Sequence, residues 1–211
     1  MRRFQLYGRP GWGSVLIEAQ LAWYGIEYDF IEVGDLFVED VAQRKLEKVN
    51  PAAQVPALEF PDGSVMTESA AITLWLSEEQ GSGDLVPEPR SPQRAQFLRW
   101  LMFIAANIYP AYTYMDVPAR FVPEEGAQEG FAKAVCDRAK GLYTILDGEA
   151  SSPWFLGDRF SVLDIYICTM TRWLPRRPWF EEHTPKLVAI ADATENINQT
   201  ADVWARNFPK K

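Results

Sequence analysis

The groups in this sequence best placed to do chemistry lie between Asn50 and Ser69, in the run NPAAQVPALEFPDGSVMTES. Val55-Pro56 precedes a short apolar strand, 57–60, and a proline at the head of a strand leaves the backbone just before it without a ladder partner. Val55 can therefore offer its N–H and C=O to an extended ligand by strand addition. Pro61-Asp62-Gly63 supplies turn chemistry, Ser64-Val65-Met66 returns as a second strand, and Thr67-Glu68-Ser69 opens an apolar helix. Free N–H groups at a helix start favour a carboxylate. Taken singly, Pro56 suits any edge strand and Ser69 any helix cap; taken in order, they suit a small anionic peptide.

The elements that must position these groups follow from periodicity. Phe4 to Tyr7 reads as a strand, Ser14 to Tyr24 as a helix ended by Gly25, and Tyr28 to Val33 as a second strand, which makes a βαβ opening. A short helical stretch across Asp40 to Val49 leads to the hairpin, and a helix from about Ser69 to Glu79 stops near Gly81. Residues 81–92, with Gly81, Gly83, Pro87, Pro89 and Pro92, have the composition of a linker. Beyond it apolar residues recur at helical spacing: Phe97, Trp100, Leu101, Ile104, Ala105 and Ile108 mark one long helix bent near Pro110, and Phe131, Val135, Leu142, Ile145 and Leu146 mark another. In Phe160-Ser161-Val162-Leu163-Asp164-Ile165, Ser161 can cap the N–H of Asp164 while Asp164 reaches back to the N–H of Ser161, with Phe160 packing on Ile165 as a staple. Ser161 and Asp164 are assigned to folding.

Composition bounds the function. With 211 residues, 47% of them apolar, the chain can fill a sizeable core. The charge balance of 21 basic against 29 acidic residues, −8, and the lack of a basic run argue against a nucleic-acid surface. Arg9, Arg44, Lys45 and Lys48 nevertheless place local positive charge in the half that would hold an anionic peptide. No apolar run long enough to span a membrane exists, and a cytoplasmic location is expected. Cys136 and Cys168 read as buried thiols, and the single histidine, His183, as an exposed residue without a catalytic role. No metal set is expected.

The run Asn50-Pro51-Ala52-Ala53-Gln54-Val55-Pro56-Ala57-Leu58 followed by Glu68-Ser69 closely resembles the glutathione-binding half of the cytosolic glutathione transferases, whose pattern reads NPxGQVPAL and then a Glu-Ser pair. Ala53 stands where glycine is common. The capping box in the second half is similar to one in that family's helical domain, so the resemblance spans nearly the whole chain. It implies an α/β domain followed by an all-α domain: a thioredoxin-like domain over residues 1–80 with a mixed four-stranded sheet, a linker over 81–92, and an all-helical domain over 93–211 that contributes the electrophile pocket. It also implies a cis Val55-Pro56 bond, a homodimer, glutathione as co-substrate and a small, partly apolar electrophile as partner. Val55 and Pro56 would hold the cysteinyl backbone, Glu68 and Ser69 the γ-glutamyl end, and Gln54 or a lysine near Lys45 the rest.

A free thiol of pKa about 8.5 is mostly protonated at pH 7, so such an enzyme must stabilise the sulfur anion. Leu6-Tyr7-Gly8-Arg9-Pro10-Gly11-Trp12-Gly13-Ser14 resembles the bacterial type in which a cysteine follows a Pro-Gly pair by two residues and a serine comes next. Gly13 holds the cysteine position, which disfavours disulfide chemistry, and Ser14 keeps the hydroxyl. Ser14 is thus either the catalytic donor or an ordinary N-cap, and Tyr7 either the competing donor or a core residue. Tyr109 stands where the bacterial cysteine type carries a histidine, as an auxiliary donor or as a stacked core tyrosine. Trp12, Tyr112, Tyr114 and Trp173 are candidates for the second-substrate pocket. The expected function is transfer of the glutathione thiol to an electrophile; the alternative is a binding or interaction module that keeps the fold without the chemistry.

Overall fold

Leu6 and Tyr7 set the architecture of the first half, because neighbours on a strand face opposite sides of a sheet. In the computed structural model, which describes residues 2–209, β1 (Phe4–Gly8) turns Leu6 into a core with Ile17, Leu21, Leu58, Ile72 and Leu76. Tyr7 joins a second cluster with Val33, Leu36, Ala42 and Leu46. The first cluster is built by α1 (Val15–Trp23) and α3 (Ser69–Gln80), the second by α2 (Asp40–Leu46). The sheet therefore sits between two helical layers. Each fully buried leucine or isoleucine in these clusters contributes about 1.5–3 kcal/mol of transfer free energy.

The sheet is mixed and four-stranded, with β2 (Tyr28–Glu32), β1, β3 (Ala57–Glu59) and β4 (Val65–Met66) in that order. β1 runs parallel to β2 and antiparallel to β3, and β3 is antiparallel to β4. The Asp62-Gly63 turn forms as expected, with Asp62 Oδ1 accepting the Ser64 N–H at 2.8 Å. The strand and helix limits read from the sequence agree with the structure to within one to three residues.

The chain divides into two compact units, residues 1–86 with 195–211 and residues 87–194. The second is helical: α4 (Arg94–Phe103), α5 (Tyr109–Asp116), α6 (Glu125–Glu149), α7 (Val162–Met170), α8 (Arg177–His183) and α9 (Pro185–Glu195). Only an isolated bridge, Trp154 to Gly157, interrupts that pattern among the described residues. The helical region expected over 93–211 thus gives its last helix, α10 (Ala201–Asn207), to the first unit, because α10 packs against α1. Between α4 and α5 the helix loosens into a single π turn, Ile104–Ile108. Pro110 has no N–H to donate and its ring crowds the carbonyl four residues back, so the irregularity falls just before it.

The Ser161–Asp164 capping box is present. Asp164 Oδ2 accepts the Ser161 N–H at 2.7 Å, and Oδ1 accepts the Phe155 N–H at 2.8 Å, a tie across the preceding loop that the capping pattern did not foretell. Two expectations are corrected. Cys168 is buried, but Cys136 is only half-buried on the partly solvated face of α6. Ile145 is half-exposed, because Leu142 and Leu146, four residues apart, take the buried stripe and leave it at the edge.

Candidate functional site

Asn50 organises the loop that leads into β3. Its side chain is buried; Oδ1 accepts the Ala52 N–H at 3.1 Å, Nδ2 donates to the Gln54 carbonyl at 2.8 Å, and its own carbonyl accepts the Ala53 N–H at 2.8 Å. These bonds hold Ala53 at φ 49, a region that favours glycine. Gln54 emerges from the loop exposed. The Val55-Pro56 bond is cis, and Pro56 is buried. Among the described residues neither the N–H nor the C=O of Val55 has a hydrogen-bond partner, which leaves the pair open to an extended ligand.

The ladder registers converge on this residue. Leu58 pairs with Met66 and Glu59 with Val65, so the residues just before β3 and just after β4 lie at the same end of this antiparallel pair. On the other side Tyr7 pairs with Ala57, so the residues that follow β1 leave the sheet at that same end. Ser69 begins α3, and Glu68, just before it, holds φ 64 and ψ 102 while its carbonyl accepts the first helical N–H, from Ile72, at 3.0 Å. A non-glycine residue in that region carries strain of order 1–3 kcal/mol, a feature that concentrates at ligand clamps. Glu68 is exposed.

Ser14 lies at the start of α1, fully buried. Its Oγ donates to the Arg9 carbonyl and accepts the Arg9 N–H, each at 3.1 Å, and it makes no helix-capping bond. The hydroxyl closes the loop over residues 9–14 on itself. Gly8 makes that closure possible, since a Cβ there would lie 2.2 Å from the Ser14 Cβ. Trp12, from the same loop, stacks on Phe37 with centroids 4.3 Å apart, and the Arg9 guanidinium lies over its ring at 5.4 Å while pairing with Asp35 at 3.3 Å.

Tyr7 faces the α2 side of the sheet. Its hydroxyl donates to Glu59 Oε2 at 2.8 Å, and burial together with the Glu59 carboxylate raises its pKa. With Lys45, Glu32 and Glu39 it lines a cavity of ≈ 360 Å³ between β2 and α2. None of Ser14, Gln54, Val55, Pro56, Glu68 and Ser69 lines that cavity. The structure therefore brings Val55, Pro56, Glu68 and Ser69 together at one end of the sheet and sends Tyr7 and Lys45 elsewhere. Arg44 pairs with Asp40 on the surface of α2 at 3.8 Å, and Lys48 is exposed.

In the second unit Tyr109 is half-buried in an aromatic cluster, with its ring 6.3 Å from Tyr112 and 5.9 Å from Trp173. Tyr112 is buried, its hydroxyl meets that of Tyr143 and donates to the Leu174 carbonyl at 3.0 Å, and burial drives its pKa well above the usual tyrosine value. Tyr114 meets Phe121 edge to face at the surface. His183 is exposed and stacked on Trp179. Two residues of consequence were missed by sequence reasoning. Asn50 carries a readable signal, an Asn-Pro pair opening a turn; Asn207, whose Oδ1 accepts the Gly11 N–H at 2.9 Å, carries none.

Residues 17–79 match the family model for the glutathione S-transferase N-terminal domain. YncG, an uncharacterised GST-like protein of Escherichia coli K12, is 35% identical over 204 residues, 96% of this chain and 98% of that protein. The glutathione S-transferase GstA of Escherichia coli O157:H7 is 28% identical over 178 residues, 80% of this chain and 81% of that one. A solved glutathione transferase homologue from Sulfitobacter, with bound glutathione, superposes with a TM-score of 0.84 at 21% identity, covering 96% of this chain and 97% of that one. A sphingomonad glutathione S-transferase complexed with glutathione gives 0.74 at 23% identity, over 98% and 100% of the two chains, and at such identities the likeness speaks for the fold. The end-to-end match to the first relative, on a chain that already carries the cis-proline loop and the capping box, places this protein in the glutathione S-transferase family, among its bacterial-type members.

Proposed function

We propose that the chain is a glutathione transferase, which binds glutathione in its first unit, ionises the thiol and adds the sulfur to a small, partly apolar electrophile. The observation that carries this reading is the unpartnered N–H and C=O of Val55 at the head of β3, at the same end of the β3–β4 pair as the helix start at Ser69. An extended cysteinyl residue would add to that edge as a short strand, while Glu68 and Ser69 would take the γ-glutamyl end and Gln54 the remainder. The thiol would then meet the start of α1. Bringing a thiol from about 8.5 to below 7 requires about 2 kcal/mol of preference for the thiolate. One charge-assisted hydrogen bond is worth about 1.5–3 kcal/mol and a helix N-terminus up to about 2 in a partly buried setting. With its hydroxyl bonded to Arg9, Ser14 serves this chemistry by holding the loop, and the positive end of α1 stabilises the anion.

The second reading, a glutathione-binding module without catalysis, is favoured by that same engaged Ser14 hydroxyl and by Gly13 in the cysteine position. Ultraviolet absorbance of the thiolate, titrated from about pH 5 to 9 on the glutathione complex around the free value, separates the two. We expect ionisation below pH 7. Binding with an unshifted thiol would establish the module, and absence of binding would remove both.

A further inference from the structure

Glu18 is a buried carboxylate on α1, 1% exposed, that the transfer reaction does not use. A charge in the interior persists only when paired and hydrogen-bonded. Its partners are the Tyr28 hydroxyl at 2.9 Å, the Arg206 guanidinium and Asn207 Nδ2 at 2.5 Å, the last two from α10. Asn207 is itself buried, and Nδ2 also donates to the Val203 carbonyl at 2.9 Å. With two acceptors facing Nδ2, the amide has one consistent orientation, and its Oδ1 must face a donor. That donor is the Gly11 N–H, at 2.9 Å. Gly11 holds φ 78, and a Cβ there would lie 3.3 Å from the Asn207 carbonyl oxygen, so the last helix and the loop are fitted closely.

We propose that Asn207 is a positioning residue for the Gly11–Ser14 loop, anchored by Glu18, and that it sets where the loop and the start of α1 present themselves to the glutathione sulfur. The proposal rests on the transferase reading above. Besides the Trp12–Phe37 stack and the Arg9–Asp35 pair, two side chains fasten the loop by hydrogen bonds: Ser14 ties its ends together at Arg9, and Asn207 ties its middle to α10 and α1. Without the second, the loop keeps its internal bonds and its tie to the first turn of α1, and loses the bond that fixes its middle against α10. Displacements of about 1 Å at a reacting group cost rates of order a hundredfold, so registration is a chemical variable here.

The test compares the full chain, Asn207→Ala, and the exchange pair Glu18→Gln/Asn207→Asp in the thiolate titration with glutathione, alongside glutathione affinity. In the pair the carboxylate at 207 accepts from both Gly11 and the new amide at 18, Tyr28 and Arg206 still find an acceptor, and the bond to the Val203 carbonyl is given up because a carboxylate cannot donate to it. We expect Asn207→Ala to raise the bound thiol pKa by about one unit, a tenfold loss of thiolate-to-thiol ratio, with glutathione affinity changed less than about threefold. The exchange pair, which restores the acceptor for Gly11, should recover part of that shift. A folded Asn207→Ala protein whose bound thiol titrates as in the unaltered chain overturns the proposal, as does an exchange pair no better than the single variant. If the alanine variant does not fold, Asn207→Ser, whose hydroxyl is too short to reach Gly11, is read by the same criteria. An unaltered chain that binds glutathione without depressing its thiol pKa overturns the transferase reading itself, whatever the variants do.

Discussion

A buried hydroxyl that both donates and accepts has no donor left for a ligand, and Ser14 is in that position, with each of its bonds going to the backbone of Arg9. Removing it leaves the Arg9 N–H without its partner, while the Arg9 carbonyl keeps the Trp12 N–H. Ser14→Ala should therefore lower unfolding free energy by about 1–3 kcal/mol, read from urea denaturation. A loss in thiol ionisation with no change in stability would return Ser14 to the role of direct donor. The groups at Val55, Pro56 and Ser69 were legible in the sequence because proline and helix starts write their backbone consequences locally. The departure at Ala53 also has a local meaning, since its φ of 49 shows why glycine is common in the family there. Where the hydroxyls of Ser14 and Tyr7 point was not legible. Those directions depend on the Arg9 carbonyl and on Glu59, the latter 52 residues away from Tyr7.

Elements inherit their ends from a few such residues. α7 starts at a capping box whose carboxylate, Asp164, accepts from the Ser161 and Phe155 backbone N–H groups, yet burial outweighs these bonds and pushes its pKa up to about 7. The unfolded chain would give up that proton near the ordinary carboxylate value of 3.8. The folded state thus holds the proton more tightly. The stabilisation linked to it is complete below about pH 4 and is lost as pH rises through about 7. Asp164→Asn should flatten the pH dependence of stability across that window, measured by denaturant titration at several pH values; an unchanged slope would show that the hydrogen bonds keep Asp164 ionised. The capping pattern was readable because its two members are three residues apart. The π turn before Pro110 was readable only as a bend, since a proline announces the lost hydrogen bond but not how the preceding turn accommodates it.

At the scale of the whole molecule the first unit is discontinuous, made from residues 1–86 and 195–211. No periodicity in α10 points to α1, because the tie between Asn207 and Glu18 spans 189 residues and consists of one amide and one carboxylate. This is why the helical region was read as running to the end of the chain. Ending the chain after Thr194 would strip Glu18 of Arg206 and Asn207 and remove the buried Val203 and Trp204 from the first unit, where a buried side chain such as Val203 contributes about 1.5–3 kcal/mol. Since a domain commonly has only about 5–15 kcal/mol in total, that truncation should make the first unit melt ahead of the second in urea. Circular dichroism should then resolve two transitions, and a single unshifted one would deny α10 this role. The same arrangement bears on synthesis. At roughly 5–20 residues per second, α10 emerges on the order of ten seconds after residue 86, so the nascent first unit waits with Glu18 unmatched while the 87–194 bundle is completed ahead of it.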